Sequence, residues 1–358
     1  MEKSKRLHPG AFRLDRGCRR PRRGIALILT LLVLSILIVI VLQMSLATKT
    51  ELKVSENYLS DTQNYYAMKA GIAYASVILK SDAADTDHPY DYLAEEWAQP
   101  TDLDEENGAH LHFQIEDEDH KFNANRLVGS GGQQNPAVRD QFLRLFKVLG
   151  PDNEKKVEAL TDYLDWGDTD TGRYEEGAKN TYMYTLEELL QVGQSPGGEG
   201  VLSPGVVYGD TQNIPLMPLV TLWTNPVGLT GQVNINTAPK EIFMALSDDI
   251  TEEIARNIVE YRTSGQGGAY KPFEKIEDIQ KVPGFPQDPA VFSRLSPSLS
   301  VKSNTFTVHL LATTGSVTSK AKAILQRSQN DIRLLFYDDD QGLTGLLPQL
   351  IEKQQPPK

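Results

Sequence analysis

From Ile25 to Leu42 the chain reads IALILTLLVLSILIVIVL, eighteen residues without a charge and with hydroxyls only at Thr30 and Ser35. At 1.5 Å rise per residue such a helix is about 27 Å long, close to the hydrocarbon thickness of a bilayer. Everything downstream is therefore either tethered by a membrane span or delivered by a signal that is later removed. A removable secretory signal has a shorter apolar core ending at small residues, and Gln43-Met44-Ser45-Leu46-Ala47 offers such an end. The flanking charge favours retention: residues 1–23 hold nine Lys or Arg against Glu2 and Asp15, which keeps that end in the cytoplasm and places the rest outside.

The remaining 335 residues carry 27 basic and 46 acidic side chains, a net −19. A body this acidic repels nucleic-acid phosphate and suits divalent cations. Cys18, the only cysteine, lies in the basic leader, so the body has neither a disulfide nor a thiolate metal site. At 358 residues the chain exceeds one ordinary domain and has room for two folded units plus appendages.

Helical character is expected to persist past the apolar run, because residues 46–79 lack proline and keep near-helical apolar spacing. Leu59, Tyr66, Ala70, Ala73, Tyr74 and Val77 fall on one stripe, read here as the face that packs on a sheet. Residues 81–109 are polar, acidic and aperiodic, and read as a surface connection with one short helical turn. His110 to Ile115 alternates as a strand, and Glu116 to His120 reads as a charged turn. Helices are predicted over Pro136 to Leu149 and Glu154 to Trp166, and another begins at Thr185 with Glu188 in capping-box spacing. Thr305 to Thr313, Ser316 to Gln326 and Asp331 to Tyr337 are predicted strands, the first two joined by a tight Thr314-Gly315 turn. Beyond Asp338 the tail is acidic and then Pro/Gln-rich.

Two segments carry chemistry. Residues 165–177, DWGDTDTGRYEEG, place Asp165, Asp168, Asp170, Glu175 and Glu176 in a glycine-containing loop after a helix. Closely spaced carboxylates and carbonyls on such a loop can supply the six to eight oxygens of Ca²⁺, and a solvated acidic loop reads equally well from spacing alone. The loop is not an EF-hand, since Lys179 stands at the twelfth position when Asp168 is counted as the first. Residues 231–287 resemble helix-hairpin-helix units, with Asn236-Thr237-Ala238-Pro239 opening a helix and Ile250 to Arg262 forming an amphipathic one. In DNA-binding versions the hairpin offers backbone N–H groups to phosphate. Here the first hairpin is Ser247-Asp248-Asp249, which would face phosphate with two negative charges. An enzyme is not expected either: the six histidines, His8, His88, His110, His112, His120 and His309, form no HExxH. His110 and His112 share a strand face, an arrangement met far more often on plain surface strands than at metals.

A basic stretch ending in Gly24, directly before the uninterrupted apolar helix from Ile25, resembles the prepilin peptidase site of type IV pilins and pseudopilins. The resemblance implies cleavage after Gly24 and a methylated Ile25 as the mature terminus. Most such subunits carry Glu at the fifth mature position, where it neutralises the terminal amine of the preceding subunit in the membrane. Leu29 stands there in this chain, which fits a subunit with nothing ahead of it. Three further segments, Lys121-Phe122-Asn123-Ala124-Asn125, Asp162-Tyr163-Leu164-Asp165-Trp166-Gly167-Asp168 and Val233-Asn234-Ile235-Asn236-Thr237-Ala238-Pro239, are similar to the KFN-N, DWLD-x-D and VN-NTAP segments of the K-type minor pseudopilin family of type II secretion. The match departs where that family has a GAED-x-YY stretch, because Lys179 and Asn180 replace its two acids.

The resemblance implies an α+β fold: a transmembrane helix continuing into a pilin-like α/β domain with a large inserted all-α, SAM-like or helix-hairpin-helix-like domain. The implied layout is a cleaved leader at 1–24 and a membrane helix at 25–45. Pilin-like parts at 46–130 and 301–337 flank the helical insertion at 131–300, and 338–358 is a tail. The implied function is non-enzymatic, at the tip of the secretion pseudopilus. Its partners would be the I and J minor pseudopilins, the major pseudopilin, prepilin peptidase and the inner membrane, with a periplasmic body, bound Ca²⁺ and no nucleic acid. A tethered helix-hairpin-helix protein of DNA uptake and a type IV pilus minor pilin are the alternatives.

Overall fold

The computed structural model describes residues 23–104, 108–151, 153–166, 177–194, 200–211, 213–223, 231–265, 269–328 and 331–339. The chain forms two units, Met1–Leu59 and Ser60–Lys358. The first is helical over its described residues, with the side chains of residues 25–59 all exposed. Among the described residues one helix is long and apolar enough to cross a membrane. It is α1, Arg23–Ala83.

In the second unit the last turns of α1 lead into β1 (Thr101–Asp104), β2 (His110–Asp117) and a two-residue β3 (Phe122–Asn123). Next come α2 (Pro136–Leu149), α3 (Asn153–Leu164), α4 (Pro204–Tyr208), β4 (Val220–Thr221), β5 (Val233–Asn234), α5 (Lys240–Leu246), α6 (Glu252–Thr263) and α7 (Pro289–Leu295). β6 (Leu299–Ser300), β7 (Thr305–Thr314), β8 (Val317–Arg327) and β9 (Ile332–Asp338) close the described chain. Five strands form an antiparallel sheet in the order β1-β2-β7-β8-β9. β2 and β7, neighbours across a continuous ladder from His110↔Thr313 to Asp117↔Phe306, are separated in sequence by the entire helical block.

One core lies between α1 and the sheet, where Ala67, Met68, Ala75, Ile78 and Leu79 meet Leu111, Phe113, Phe306, Val308 and Leu310. Gly71 lets the helix approach closely: a Cβ there would lie 2.7 Å from Leu111 Cδ2 and 2.8 Å from Leu310 Cδ2. The helical block has its own core, drawn from α2, α3, α5, α6 and α7 around Phe142, Phe146, Leu160, Phe243 and Phe273. Helix starts there follow local chemistry: Asn135 accepts from Val138 N–H ahead of Pro136, and Thr251 accepts from Ile254 N–H. Gly315, at φ 59°, turns β7 into β8 as the tight-turn reading expects.

Five readings are corrected. The stripe on α1 is the wrong face: Leu59, Tyr66, Ala70, Ala73, Tyr74 and Val77 are exposed, and the sheet takes the opposite side of the helix. Small residues at 67, 71 and 75 permit close packing on that side, where Met68, Ile78 and Leu79 fill the core. Residues 81–109 are no mere surface connection, since they hold strand β1 and bury Asp91 and Trp97. The segment read as a charged turn extends β2 to Asp117 and buries Glu118 and Asp119; Glu118 pairs with Lys121, and Asp119 accepts from Asn304 N–H. The element after Thr185 is a six-residue 3₁₀ turn, Leu186–Gln191, with Glu188 accepting from Thr185 N–H, and α3 stops at Leu164, two residues short of Trp166.

Candidate functional site

Gly24 and Ile25 lie in the first turn of α1, and both Ile25 and Leu29 have exposed side chains. Of the proposed calcium ligands, Asp165 is described and buried; Asp168, Asp170, Glu175 and Glu176 lie outside the described residues. The return of the loop shows what the two departures from the acidic pattern do. Asn180 takes a left-handed φ of 53°, and its N–H donates to Tyr163 O at 3.0 Å. With its amide nitrogen turned inward it also donates to the carbonyls of Asp165 (2.9 Å) and Asp162 (3.3 Å) at the end of α3. Lys179 points elsewhere: its Nζ is 2.6 Å from Glu188 Oε2 and 4.1 Å from the Tyr184 ring centroid. Trp166 meets Tyr182 edge-to-face at 4.9 Å. Asn180 thus takes the carbonyls of Asp162 and Asp165 at the end of α3, while Lys179 pairs with Glu188.

The NINTAP segment is a structural clasp. Asn236 spans Phe273, accepting from its N–H at 2.7 Å and donating to its carbonyl at 3.0 Å. Asn234 donates to Asp91 O and Ser303 Oγ, and Thr237 Oγ1 donates to Asp117 Oδ2 at 2.5 Å. Ser303 Oγ donates to the same carboxylate oxygen at 2.7 Å. Burial pushes Asp117 up to about 6 in spite of these donors. These bonds tie the helical block to strand β2, so none of the three side chains is offered to a ligand. The hairpin that a DNA-binding reading would aim at phosphate is occupied by itself: Asp249 pairs with Arg294 at 2.6 Å and accepts from Ser247 Oγ at 2.9 Å. Lys281, in the second hairpin, pairs with Asp278 at 2.7 Å. Both features disfavour nucleic acid.

A buried charge cluster was not foreseen. Arg327 Nη1 binds Asp82 Oδ2 at 2.5 Å, and Nη2 binds both oxygens of Asp91 at 2.5 and 2.6 Å and the Ser303 carbonyl at 2.6 Å. Glu95 stands beside it, accepting from Trp97 Nε1 at 2.6 Å and Tyr92 N–H at 3.0 Å. Asp82, Asp91 and Glu95 bring carboxylate oxygens within 4.8 Å of one another, and the guanidinium already serves the first two. Burial, reinforced by the charge of Asp91, raises Asp82 to about 6; burial raises Glu95 to about 7. A second buried cation, Lys121, lies 2.7 Å from Glu116 and 2.8 Å from Glu118, and His309 meets Glu116 at 2.9 Å. Local sequence carries no sign of the first cluster, because its members are up to 245 positions apart.

Two models of the family described as type II secretion system (T2SS), protein K match residues 120–195 and 233–302. The chain is 25% identical over 320 residues to type II secretion system protein K of Klebsiella pneumoniae, covering 85% of this chain and 92% of that one. The corresponding protein of Aeromonas hydrophila is 24% identical over 335 residues, covering 88% and 95%. Among solved structures the fold matches a chain of the GspK-GspI-GspJ complex of the enterotoxigenic Escherichia coli type 2 secretion system, with TM-score 0.58, 18% identity, and 78% of this chain and 97% of that chain covered.

Proposed function

We propose that this chain, a member of the type II secretion system protein K family, is a minor pseudopilin that caps the pseudopilus and performs no catalysis. The observation that carries the reading is the outward face of α1. Tyr66, Ala70, Ala73 and Val77 form an apolar strip on the side of the helix away from the sheet, with Tyr66 63% and Val77 64% exposed. Such a strip on a soluble body marks a surface made to be covered. Helices from the I and J minor pseudopilins, the partners named with the E. coli relative, are its occupants in this reading. Small Ala70 and Ala73 let a neighbouring helix come close.

The remaining parts follow from the same reading. Prepilin peptidase cuts after Gly24, Ile25 becomes the methylated terminus, and the apolar helix holds the chain in the inner membrane with its body in the periplasm. Leu29, in place of glutamate, leaves the subunit unable to neutralise an amine ahead of it, which suits the first position of the filament whose other layers are major pseudopilin. The helical block is an insertion into a pilin-like α/β domain, supported by β2 and β7 pairing across it. Ca²⁺ is held by Asp165, Asp168, Asp170, Glu175 and Glu176, which offer the hard oxygens it prefers.

Coexpression with the I and J subunits tests the reading. The three are expected to purify together from detergent, and Ala70→Glu with Ala73→Glu is expected to abolish the complex while the single chain stays folded. Complex formation unaffected by that pair, or a mature terminus other than Ile25 by mass spectrometry, would overturn it. Calcium is checked separately, by loss of Ca²⁺-induced thermal stabilisation in Asp168→Asn.

A further inference from the structure

Along β7, β8 and β9 the residues that alternate with the α1 core point to the other face of the sheet. Two ladder rows cross that face, Thr307↔Ile324↔Phe336 and His309↔Lys322↔Asp338. The helical block overhangs them with Tyr208, Met217 and Trp223, and a cleft of about 390 Å³ lies between block and sheet. Trp223 leans over Phe336 with 5.1 Å between ring centroids.

The charges on the deep wall of this cleft are already paired. Lys121 lies 2.7 Å from Glu116 and 2.8 Å from Glu118, and His309 is 2.9 Å from Glu116. An ionic ligand would have to break into a buried ion pair and leave one member without its partner, which is costly. The rest of the wall offers apolar area on Met217, Trp223, Ile324 and Phe336. An uncharged, apolar occupant suits it, and a volume of this order, within the roughly 300 to 1,000 Å³ of binding clefts, has room for several side chains.

The chain itself carries such a segment. Residues 341–351, QGLTGLLPQLI, lie outside the described residues; they hold Leu343, Leu346, Leu347, Leu350 and Ile351 and no charge, between Asp338-Asp339-Asp340 and Glu352-Lys353. Five branched aliphatic side chains in eleven residues are a surface to be covered, in a body whose net charge is −19. β9 is itself one wall of the cleft, with Phe336 and Asp338 lining it, so the chain leaves from the cleft's rim. Leu343 is five residues past Asp338, within about 17 Å of extended chain. Gly342 and Gly345 permit the reversal of direction that brings the segment back. So short a tether gives the segment a high effective concentration at the cleft, ahead of any free ligand of the same chemistry.

We infer that residues 341–351 of the same chain occupy this cleft, with their leucines against Met217, Trp223, Ile324 and Phe336, and strap the helical block to the sheet on the side opposite α1. The strap is the counterpart of the NINTAP clasp, which ties the same block to β2.

The test is disulfide trapping in the full chain in detergent, with Cys18→Ser removing the native thiol. Met217→Cys with Leu347→Cys is expected to close a bond within one chain on mild oxidation, read by linked peptides in mass spectrometry. Asp102→Cys with Leu347→Cys, whose first site is on β1 at the opposite edge of the sheet, is expected to give none. Hydroxyl-radical footprinting supplies a second readout. In a chain ended after Asp339, and in full chain carrying Leu343→Ser, Leu346→Ser and Leu347→Ser, Met217 and Trp223 are expected to oxidise several-fold faster than in wild type. Trp97, buried in the α1 core, stays protected and reports that each variant is folded. Linkage at both positions alike, no linkage, or equal oxidation of Met217 and Trp223 in all chains would overturn the proposal. Linkage between chains in place of linkage within one would overturn it too, and would assign the cleft to a second copy.

Discussion

The two faces of α1 beyond Ser60 differ in almost every respect that matters. The inward face is built from small or slender residues, Ala67, Gly71, Ala75, Ile78 and Leu79, and is clamped at both ends by polar side chains. Asn64 donates to Val317 O and Ser319 Oγ and accepts from Thr314 Oγ1, while Asp82 binds Arg327. The outward face intersperses Tyr66, Tyr74 and Val77 with small Ala70 and Ala73. Close packing selected the buried side: Gly71 brings the helix against Leu111 and Leu310, and polar groups at the margins lock the register.

That contrast can be broken first at Arg327. Arg327→Ala leaves Asp82 and Asp91 as buried acids without their cation, and is expected to cost about 3 to 5 kcal/mol in denaturant unfolding. A loss below 1 kcal/mol would mean that the inner end of α1 is not clamped. Next in size is Gly71→Leu, which drives a side chain into Leu111 and Leu310 and is expected to destabilise by about 1 to 3 kcal/mol. The same enlargement at Ala73, on the outward face, should leave the unfolding midpoint unchanged.

Glu95 sharpens the comparison through pH. Its carboxyl is raised from the usual value of 4.5 to about 7, chiefly by burial, so its ionised form is disfavoured in the folded chain. The penalty is full above pH 7 and vanishes as pH falls through 7 towards 4.5, where both states bind the proton. Glu95→Gln is therefore expected to stabilise by about 1 kcal/mol at pH 8, a figure reduced for partial exposure, and to have no effect near pH 4.5. Equal effects at both pH values would show that the carboxylate is not desolvated. The smallest change is Val77→Ser, expected to alter the stability of the isolated chain by less than about 0.5 kcal/mol while weakening its pairing with partner helices.

Long regular elements were the legible part of this fold. Pro136–Leu149 is one helix in both the pattern and the structure, because its proline start, its period and the glycine after it are local signals. The strands from Thr305 to Tyr337 were readable for the same reason, since an alternating face and a Gly315 turn lie within a few residues of each other. β1 was not: TDLD has one apolar residue, too little to show a period, and it is a strand because β2 pairs with it. Of the candidate site, Gly24, Ile25 and Leu29 were legible as contiguous letters. Asp165 was found at the end of α3, but the carbonyls beside it are taken by Asn180, a bond that depends on a left-handed backbone the sequence does not announce.

Sequence alone determined the apolar anchor, the sign of charge on either side of it, the thiol-free body and the existence of most helices and strands. Each of these depends on neighbouring residues or on a sum over many, and so survives without knowledge of contacts. Tertiary structure decided which face of α1 is covered, that Arg327 would gather Asp82 and Asp91, and that Asn180 would take the carbonyls at the end of α3. Periodicity defines a face only relative to the element's own axis, and pairings between distant positions arise when packing brings them together.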